Sequence, residues 1–208
     1  MWKFIVKGGP VMIPIIAGSV VGLAIIIDKF IMFFRLRQDS SAFVQDVFKD
    51  LKANKPQRAL LTCERLISFP LAAIFKIGIE RRGLAPDRLE KVLEQAGNNQ
   101  VHRLEKRMGA LASIIGIEPL LGFLGTITGL IRAFMMWEQA GANITVNALA
   151  SGIYEAMITT AAGLGIAIPF YLCYNYFISK IKYISVDLTN HALQLVEIIQ
   201  ETRQDSKA

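Results

Sequence analysis

The sequence is poor in cysteine, proline and charge, and each shortage excludes a class of protein. Two cysteines among 208 residues, Cys63 and Cys173, exclude a disulfide framework and a zinc site, so we expect two reduced thiols. Seven prolines exclude a collagen-like or proline-rich chain. Charged residues make up 19% of the chain and apolar residues 53%, which excludes intrinsic disorder.

Three long apolar runs are the main feature of what remains. Residues 8–27 and 156–179 contain no charged side chain, and residues 108–131 contain one, Glu118. About 20 apolar residues in a helix cross the roughly 30 Å hydrocarbon core of a bilayer. The runs therefore predict three transmembrane helices.

The first run is open to a second interpretation, a cleaved signal peptide, because Lys3 and Lys7 precede it. Its apolar character continues to Phe34, however, which is too long for the apolar part of a signal peptide. It then ends in Arg35 and Arg37, a pattern typical of a stop-transfer helix. We therefore expect the run to stay in the membrane.

Basic residues outnumber acidic ones by 23 to 17, and their placement indicates a membrane rather than nucleic acid. The stretch 137–151 has no lysine or arginine, whereas basic residues flank the other ends of the runs. By the positive-inside rule this predicts an N-terminus outside and a C-terminus in the cytoplasm. Lys3 and Lys7 argue weakly against that orientation. The flanking residues are Arg35, Arg37, Arg103, Lys106, Arg107, Lys180 and Lys182.

The polar part of the chain also shows helical patterning. Residues 35–107 carry apolar side chains at helical spacing, and Pro56 and Pro70 restart the pattern. From Pro86 a periodic series runs directly into the second span, and the third span continues periodically to Ile199. Both helices should therefore project from the bilayer.

The chain is thus predicted to be an all-α membrane protein with three transmembrane helices, the second and third extended into a helical cytoplasmic domain. The predicted segments are an outer N-terminus with the first transmembrane helix (1–34), a cytoplasmic helical domain (35–107), the second transmembrane helix (108–136), an outer loop (137–151), the third transmembrane helix (152–179) and a cytoplasmic helical tail (180–208).

Polar side chains stand out on the third span. Glu155 lies near its outer start, one turn from Thr159 on the same face, with Thr160 next to it. An ionisable group inside a span costs on the order of 3 kcal/mol, so such groups usually face water or protein. A glutamate that reaches the headgroups, and threonines bonded to their own helix, remain the alternatives. Arg132, near the outer end of the second span, is predicted to pair with Glu138.

Small residues form a face on each of the last two spans, which predicts that these helices pack on each other. The predicted packing residues are Gly122, Gly125 and Gly129 on the second span and Ala156, Gly163 and Ala167 on the third. Thr126 lies within the first of these faces.

Two motifs fall on these spans: EPLLGFLGT, from Glu118 to Thr126 with Gly129 after it, and YEAMITTAAGL, from Tyr154 to Leu164 with AIP and YN downstream. In sequence, order and topology they resemble the MotA/TolQ/ExbB proton-channel family, and most of all its ExbB/TolQ branch. The resemblance covers nearly the whole chain in layout.

The resemblance implies an inner-membrane pentamer around the single transmembrane helices of an ExbD/TolR-like dimer, whose membrane carboxylate accepts the ion. It implies work on a TonB/TolA-like partner, no enzymatic activity, and no cofactor or metal. Thr126 and Thr160 would be pore threonines, and Glu155 the family's acidic residue on the third span. Two residues depart from the family pattern. Glu118 replaces a small residue before the proline, and Thr159 adds a hydroxyl that leaves proton and sodium as alternatives.

The sequence predicts an ion pathway formed by Glu155, Thr126, Thr160, Thr159 and Glu118, and two other functions are alternatives to it. An intramembrane enzyme would need Glu118 and Glu155 as an acid/base pair, yet they are predicted near opposite membrane faces. A structural scaffold would explain the small residues but not a glutamate and threonines on a spanning helix.

Overall fold

The computed structural model describes residues 7–36, 40–67, 69–140 and 146–205. Helices account for nearly all of this part of the chain, and no strand occurs in it. Lys3, Arg37 and residues 141–145 of the predicted outer loop lie outside the described residues. The helices are α1 (Met12–Arg35), α2 (Ser40–Lys52), α3 (Pro56–Arg65), α4 (Pro70–Glu80), α5 (Pro86–Glu105), α6 (Met108–Ala140) and α7 (Val146–Asp205).

Three of the short helices begin at a proline. α3, α4 and α5 start at Pro56, Pro70 and Pro86, in agreement with the predicted restarts of the pattern. The ring fixes φ near the helical value, and the missing N–H is harmless because the first turn has no helical acceptor for it. The residues before Pro70 and Pro86 are extended, as the proline ring requires.

α1, α6 and α7 carry apolar windows long enough to cross a membrane. Two of them continue into the more polar helical region, since α5 leads into α6 and α7 extends to Asp205. The prediction of an all-α membrane protein with three spanning helices is confirmed.

The sequence does not reveal one detail of these helices. The periodic series from Pro86 leads into the second span, as predicted, but the helix is interrupted between α5 and α6. Arg107 has a φ of 69°, in the left-handed region that residues other than glycine rarely adopt, and its guanidinium donates to Oδ2 of Asp28 at 2.9 Å. Leu104 before the break and Met108 after it are both buried. The apolar periodicity therefore continues across the break and does not reveal its position.

The chain divides into two compact units. The first consists of Met1–Phe30 and Arg107–Phe177, and the second of Ile31–Lys106 and Ile178–Ala208. α6 belongs to the first unit, α2 to α5 belong to the second, and α7 begins in the first and ends in the second.

The second unit has an apolar core of its own. Phe75 is fully buried, and its ring lies 5.7 Å from that of Phe43 and 5.5 Å from that of Phe48. The last part of α7 contributes Leu195, whose side chain fills the space beside Gly78. Each large side chain buried in this way contributes about 1.5–3 kcal/mol, which is why the polar stretch folds rather than acting as a linker.

The first unit, in contrast, leaves many large apolar side chains exposed. Such faces are expected of spanning helices, because lipid tails or neighbouring spans cover them. The most exposed of them are Ile13, Val20, Leu120, Phe123, Phe134, Tyr154, Met157 and Leu172.

Candidate functional site

The centre of the first unit is a seam where α6 and α7 touch through small residues. A methyl group on Gly122 would lie 3.0 Å from the carbonyl oxygen of Thr159, and one on Gly129 would lie 2.8 Å from that of Gly152. Contacts this short to backbone leave no room for a larger side chain. The backbones therefore approach each other closely along both glycines.

The six predicted packing residues are all buried, and the structure brings them to this seam or close to it. Gly163 lies so close to α6 that a methyl group there would be 3.3 Å from the Cα of Gly122. Gly125 faces the side chain of Thr159, and Gly129 also faces Ala156. Ala167 is 5% exposed, one turn beyond Gly163.

Thr159 and Thr160 enter the seam differently, although they are neighbours. The Thr159 side chain is fully buried, and its one hydroxyl proton is shared within its own helix between the carbonyls of Ala156 at 2.9 Å and Glu155 at 3.1 Å. Thr160 instead donates across the seam to the carbonyl oxygen of Gly122 at 3.1 Å. The Thr160 hydroxyl therefore ties α7 to α6, whereas that of Thr159 serves its own helix.

Thr126 lies one turn beyond Gly122 on α6. Its hydroxyl donates to the carbonyl of Phe123 at 2.6 Å. In a regular helix the Thr126 amide also donates to the Gly122 carbonyl, the acceptor that Thr160 uses. In both predicted pore threonines the single hydroxyl proton is therefore donated to a backbone carbonyl. The lone pairs of each hydroxyl oxygen remain able to accept a hydrogen bond.

Glu155 lies at the predicted outer end of the seam, and its side chain is 12% exposed. One guanidinium nitrogen of Arg132 donates to Oε1 of Glu155 at 2.7 Å and to Oε2 at 3.0 Å. The predicted pairing of Arg132 with Glu138 is therefore wrong. The seam explains why: α6 and α7 are antiparallel, and Gly152 contacts both Gly129 and Ala133, so residue 132 lies about one turn from Glu155.

A second neighbour of Glu155 was missed by the sequence analysis. Gly9 has a φ of 68°, and a methyl group there would collide with Oε1 of Glu155. A glycine at the start of the first apolar run is a weak signal, since only the fold brings that segment to α7.

Glu118 lies apart from this cluster. It is 1% exposed, and its carboxyl group points at Gly18 of α1, where a methyl group would collide with Oε1. Along α7 its level is that of Gly163, about 12 Å from Glu155 at 1.5 Å per residue. The five predicted pathway residues therefore occupy separate places: the Arg132 pair, the α6–α7 seam, and the α1–α6 contact.

A family model described as the MotA/TolQ/ExbB proton channel family matches residues 67–190, which include the second and third spans and the seam between them. The chain belongs to this family. The resemblance found in the sequence, including its ExbB/TolQ branch, is confirmed. The family is one of transport and energy-transduction channels, so the chain is a membrane subunit of that type.

Curated relatives cover most of the chain. A putative biopolymer transport protein ExbB-like 3 from Synechocystis is 32% identical over 172 residues, 82% of this chain and 81% of the relative. The biopolymer transport protein ExbB of Neisseria meningitidis is 28% identical over 200 residues, 88% of this chain and 89% of the relative. The Tol-Pal system protein TolQ of Haemophilus influenzae is 33% identical over 109 residues, 52% of this chain and 47% of the relative.

Proposed function

We propose that the chain conducts protons as the channel subunit of an inner-membrane motor complex that uses the ion-motive force to do work on an envelope partner. The observation that carries this proposal is the hydrogen bond from Thr160 to the Gly122 carbonyl. It fixes a hydroxyl oxygen at the seam between α6 and α7, where most of the contacts are made by glycine and alanine.

The hydroxyl chemistry suits transfer to and from a carboxyl group. Thr160 and Thr126 both donate to backbone carbonyls, so their oxygens present lone pairs. A lone pair accepts a hydrogen bond from a protonated acid or from water, and it does not compete for the proton itself. A protonated carboxyl of a partner helix would be stabilised beside them, and on this proposal that partner is an ExbD/TolR-like single-span dimer.

Glu155 contributes at the predicted outer end. Its negative charge lies beside the guanidinium of Arg132, so the pair is neutral overall and can remain in a spanning region. We assign the pair to the outer mouth of the pathway, where the remaining lone pairs of the carboxylate accept hydrogen bonds from water that enters.

The position of Thr159 favours protons over sodium. Sodium needs several oxygen ligands to replace its hydration shell. The Thr159 hydroxyl is fully buried, bonded twice within its own helix and covered by Gly125. It therefore adds no ligand to a ring formed by Thr126 and Thr160.

The assembly that we propose is a homo-pentamer enclosing the partner helices, with a TonB/TolA-like protein as the driven component and membrane lipid around it. The N-terminus is outside and the C-terminus is cytoplasmic, with the segment boundaries predicted from the sequence. The exposed apolar faces of α1, α6 and α7 provide surfaces for neighbouring subunits, partner helices and lipid.

The proposal is tested by removing single hydroxyls at constant shape. Thr160→Val and Thr126→Val, co-reconstituted with the partner subunit in vesicles, should lower proton uptake driven by a membrane potential by on the order of tenfold or more. Thr128→Val is the matched control for Thr126→Val. Thr128 lies on α6 like Thr126, and its hydroxyl also donates to a carbonyl of that helix, that of Gly125 at 3.1 Å. Thr160→Ser should keep most of the flux.

Proton flux that is equal in all of these variants would contradict the proposal. If the complex also assembled normally in that case, the structural scaffold would be the better explanation of the small-residue seam.

A further inference from the structure

Glu118 is the most enclosed acidic group in the described part of the chain. Its side chain is 1% exposed, and it lies in the first half of the largely apolar helix α6. Among the residues that the structure describes, its Oε2 is the one buried side-chain oxygen or nitrogen without a hydrogen-bond partner. A buried carboxylate without donors is among the most costly arrangements in a protein, and more so within a membrane.

The carboxyl lies against apolar groups of α1 and α6, close to a backbone carbonyl that lacks its usual donor. Gly18 of α1 lies against Oε1, and the side chain of Ile114 is part of the same contact. Pro119 follows directly and has no N–H, so the carbonyl of Ile115 loses the donor that a regular helix would supply. Side chains in a helix lean toward its N-terminus, which directs Glu118 toward that carbonyl. A carboxylic acid with its own O–H suits such a place, whereas a carboxylate does not.

Charged groups of the neighbouring helices are distant along their axes. On α1 the nearest are Asp28 and Lys29, about 15 Å beyond Gly18, and Asp28 is paired with Arg107. On α7 the nearest is Glu155, about 12 Å from Gly163 and paired with Arg132. On α6 itself, Arg107 and Arg132 are 11 and 14 residues away.

We propose that Glu118 is a proton-binding site between α1 and α6, distinct from the threonine seam. The carboxyl binds one proton and stays neutral while α1 covers it, and Gly18 is required because a side chain there would displace the carboxyl. Release of the proton needs water to reach the group, so exchange is controlled by the contact between α1 and α6. This inference does not depend on ion conduction.

Infrared spectroscopy of the purified full-length protein in lipid nanodiscs tests it without a gradient or a partner. The carbonyl stretch of a protonated carboxylic acid should be present at pH 7, with an intensity of one carboxyl per chain. It should vanish in Glu118→Gln, which keeps the shape and neutrality of the acid, and remain in Glu155→Gln. A band unchanged in Glu118→Gln would overturn the proposal.

Sodium is the alternative ligand, and the same spectra distinguish it. Replacing choline chloride by sodium chloride should leave the band unchanged, whereas its loss would show a cation site instead. A second pair of variants does not alter the acid itself. Gly18→Ala should shift the band or accelerate its deuterium exchange, while Gly116→Ala, which has open space around it, should change neither. Equal exchange in both would contradict control by α1.

Discussion

Arg132 on α6 and Glu155 on α7 form an ion pair in which one guanidinium nitrogen donates to both carboxylate oxygens, at 2.7 and 3.0 Å. The glutamate is mostly buried and the arginine is about half exposed. The pair links the two helices at the predicted outer end of the seam, where the described part of α6 ends and α7 begins.

We expect the two side chains to be energetically coupled. In a double-mutant cycle of Arg132→Gln and Glu155→Gln, the coupling in the free energy of unfolding should be about 1 kcal/mol, because Glu155 is shielded from water. Thermal unfolding in detergent provides the measurement. The pair of Lys76 and Glu64, at a similar 2.9 Å but exposed, is the matched reference and should couple less. Additive effects at Arg132 and Glu155 would show that the pair contributes nothing.

Replacement by alanine should destabilise the protein at glycines of the seam but not at glycines outside it. Gly129→Ala places a methyl group 2.8 Å from a backbone oxygen, so unfolding should become easier by about 1–3 kcal/mol. Gly116→Ala meets nothing within 4 Å and should be neutral, or stabilising by about 0.5–1 kcal/mol through helix propensity. Denaturation in a fixed detergent compares them.

A larger side chain in the seam should disrupt the oligomer. Gly125→Leu inserts a side chain against Thr159, which forces α6 and α7 apart, so we expect the oligomer to be lost. Light scattering after size-exclusion chromatography gives the mass. An oligomer of unchanged mass would show that the seam is unnecessary for assembly.

Activity should not require sodium. At fixed membrane potential and pH, the reconstituted complex should keep full activity in sodium-free medium and lose it with a protonophore. Thr159→Ala should leave the flux unchanged, because that hydroxyl is bonded within its own helix. Loss of activity without sodium, restored by adding it and diminished in Thr159→Ala, would establish sodium instead.

Cys63 should be unreactive in the folded protein. Burial raises the pKa of its thiol to about 12, while the neighbouring Lys76 lowers it and Glu64 raises it to smaller extents. The ordinary value is about 8.5, so the neutral thiol favours folding below that pH, and the contribution is lost as pH rises toward about 12. In a Cys173→Ala background, iodoacetamide at pH 8.5 should label Cys63 only after denaturation. Labelling at equal rates in both states would contradict this.

Much of the site could be predicted because helices impose a simple periodicity. Residues three and four apart share a face, so Gly122, Gly125 and Gly129 had to form one strip, and Ala156 and Gly163 lie on the corresponding strip of α7. The relation between the strips is also constrained, because consecutive spans joined by a short loop are antiparallel. Periodicity does not determine the register, that is, which residues of α6 and α7 lie opposite each other. In the observed register Arg132 pairs with Glu155 rather than with Glu138.

By itself the sequence determined the three apolar helices, the family and the small-residue faces, since these depend on local composition and spacing. Only the tertiary structure decided which hydroxyl crosses the seam, because Thr159 and Thr160 are chemically identical and differ only in the direction that they face. It also decided that α5 and α6 are separated at Arg107, and that Glu118 is enclosed by Gly18 of α1. Contacts between residues a hundred positions apart depend on how helices pack, and no local pattern encodes that arrangement.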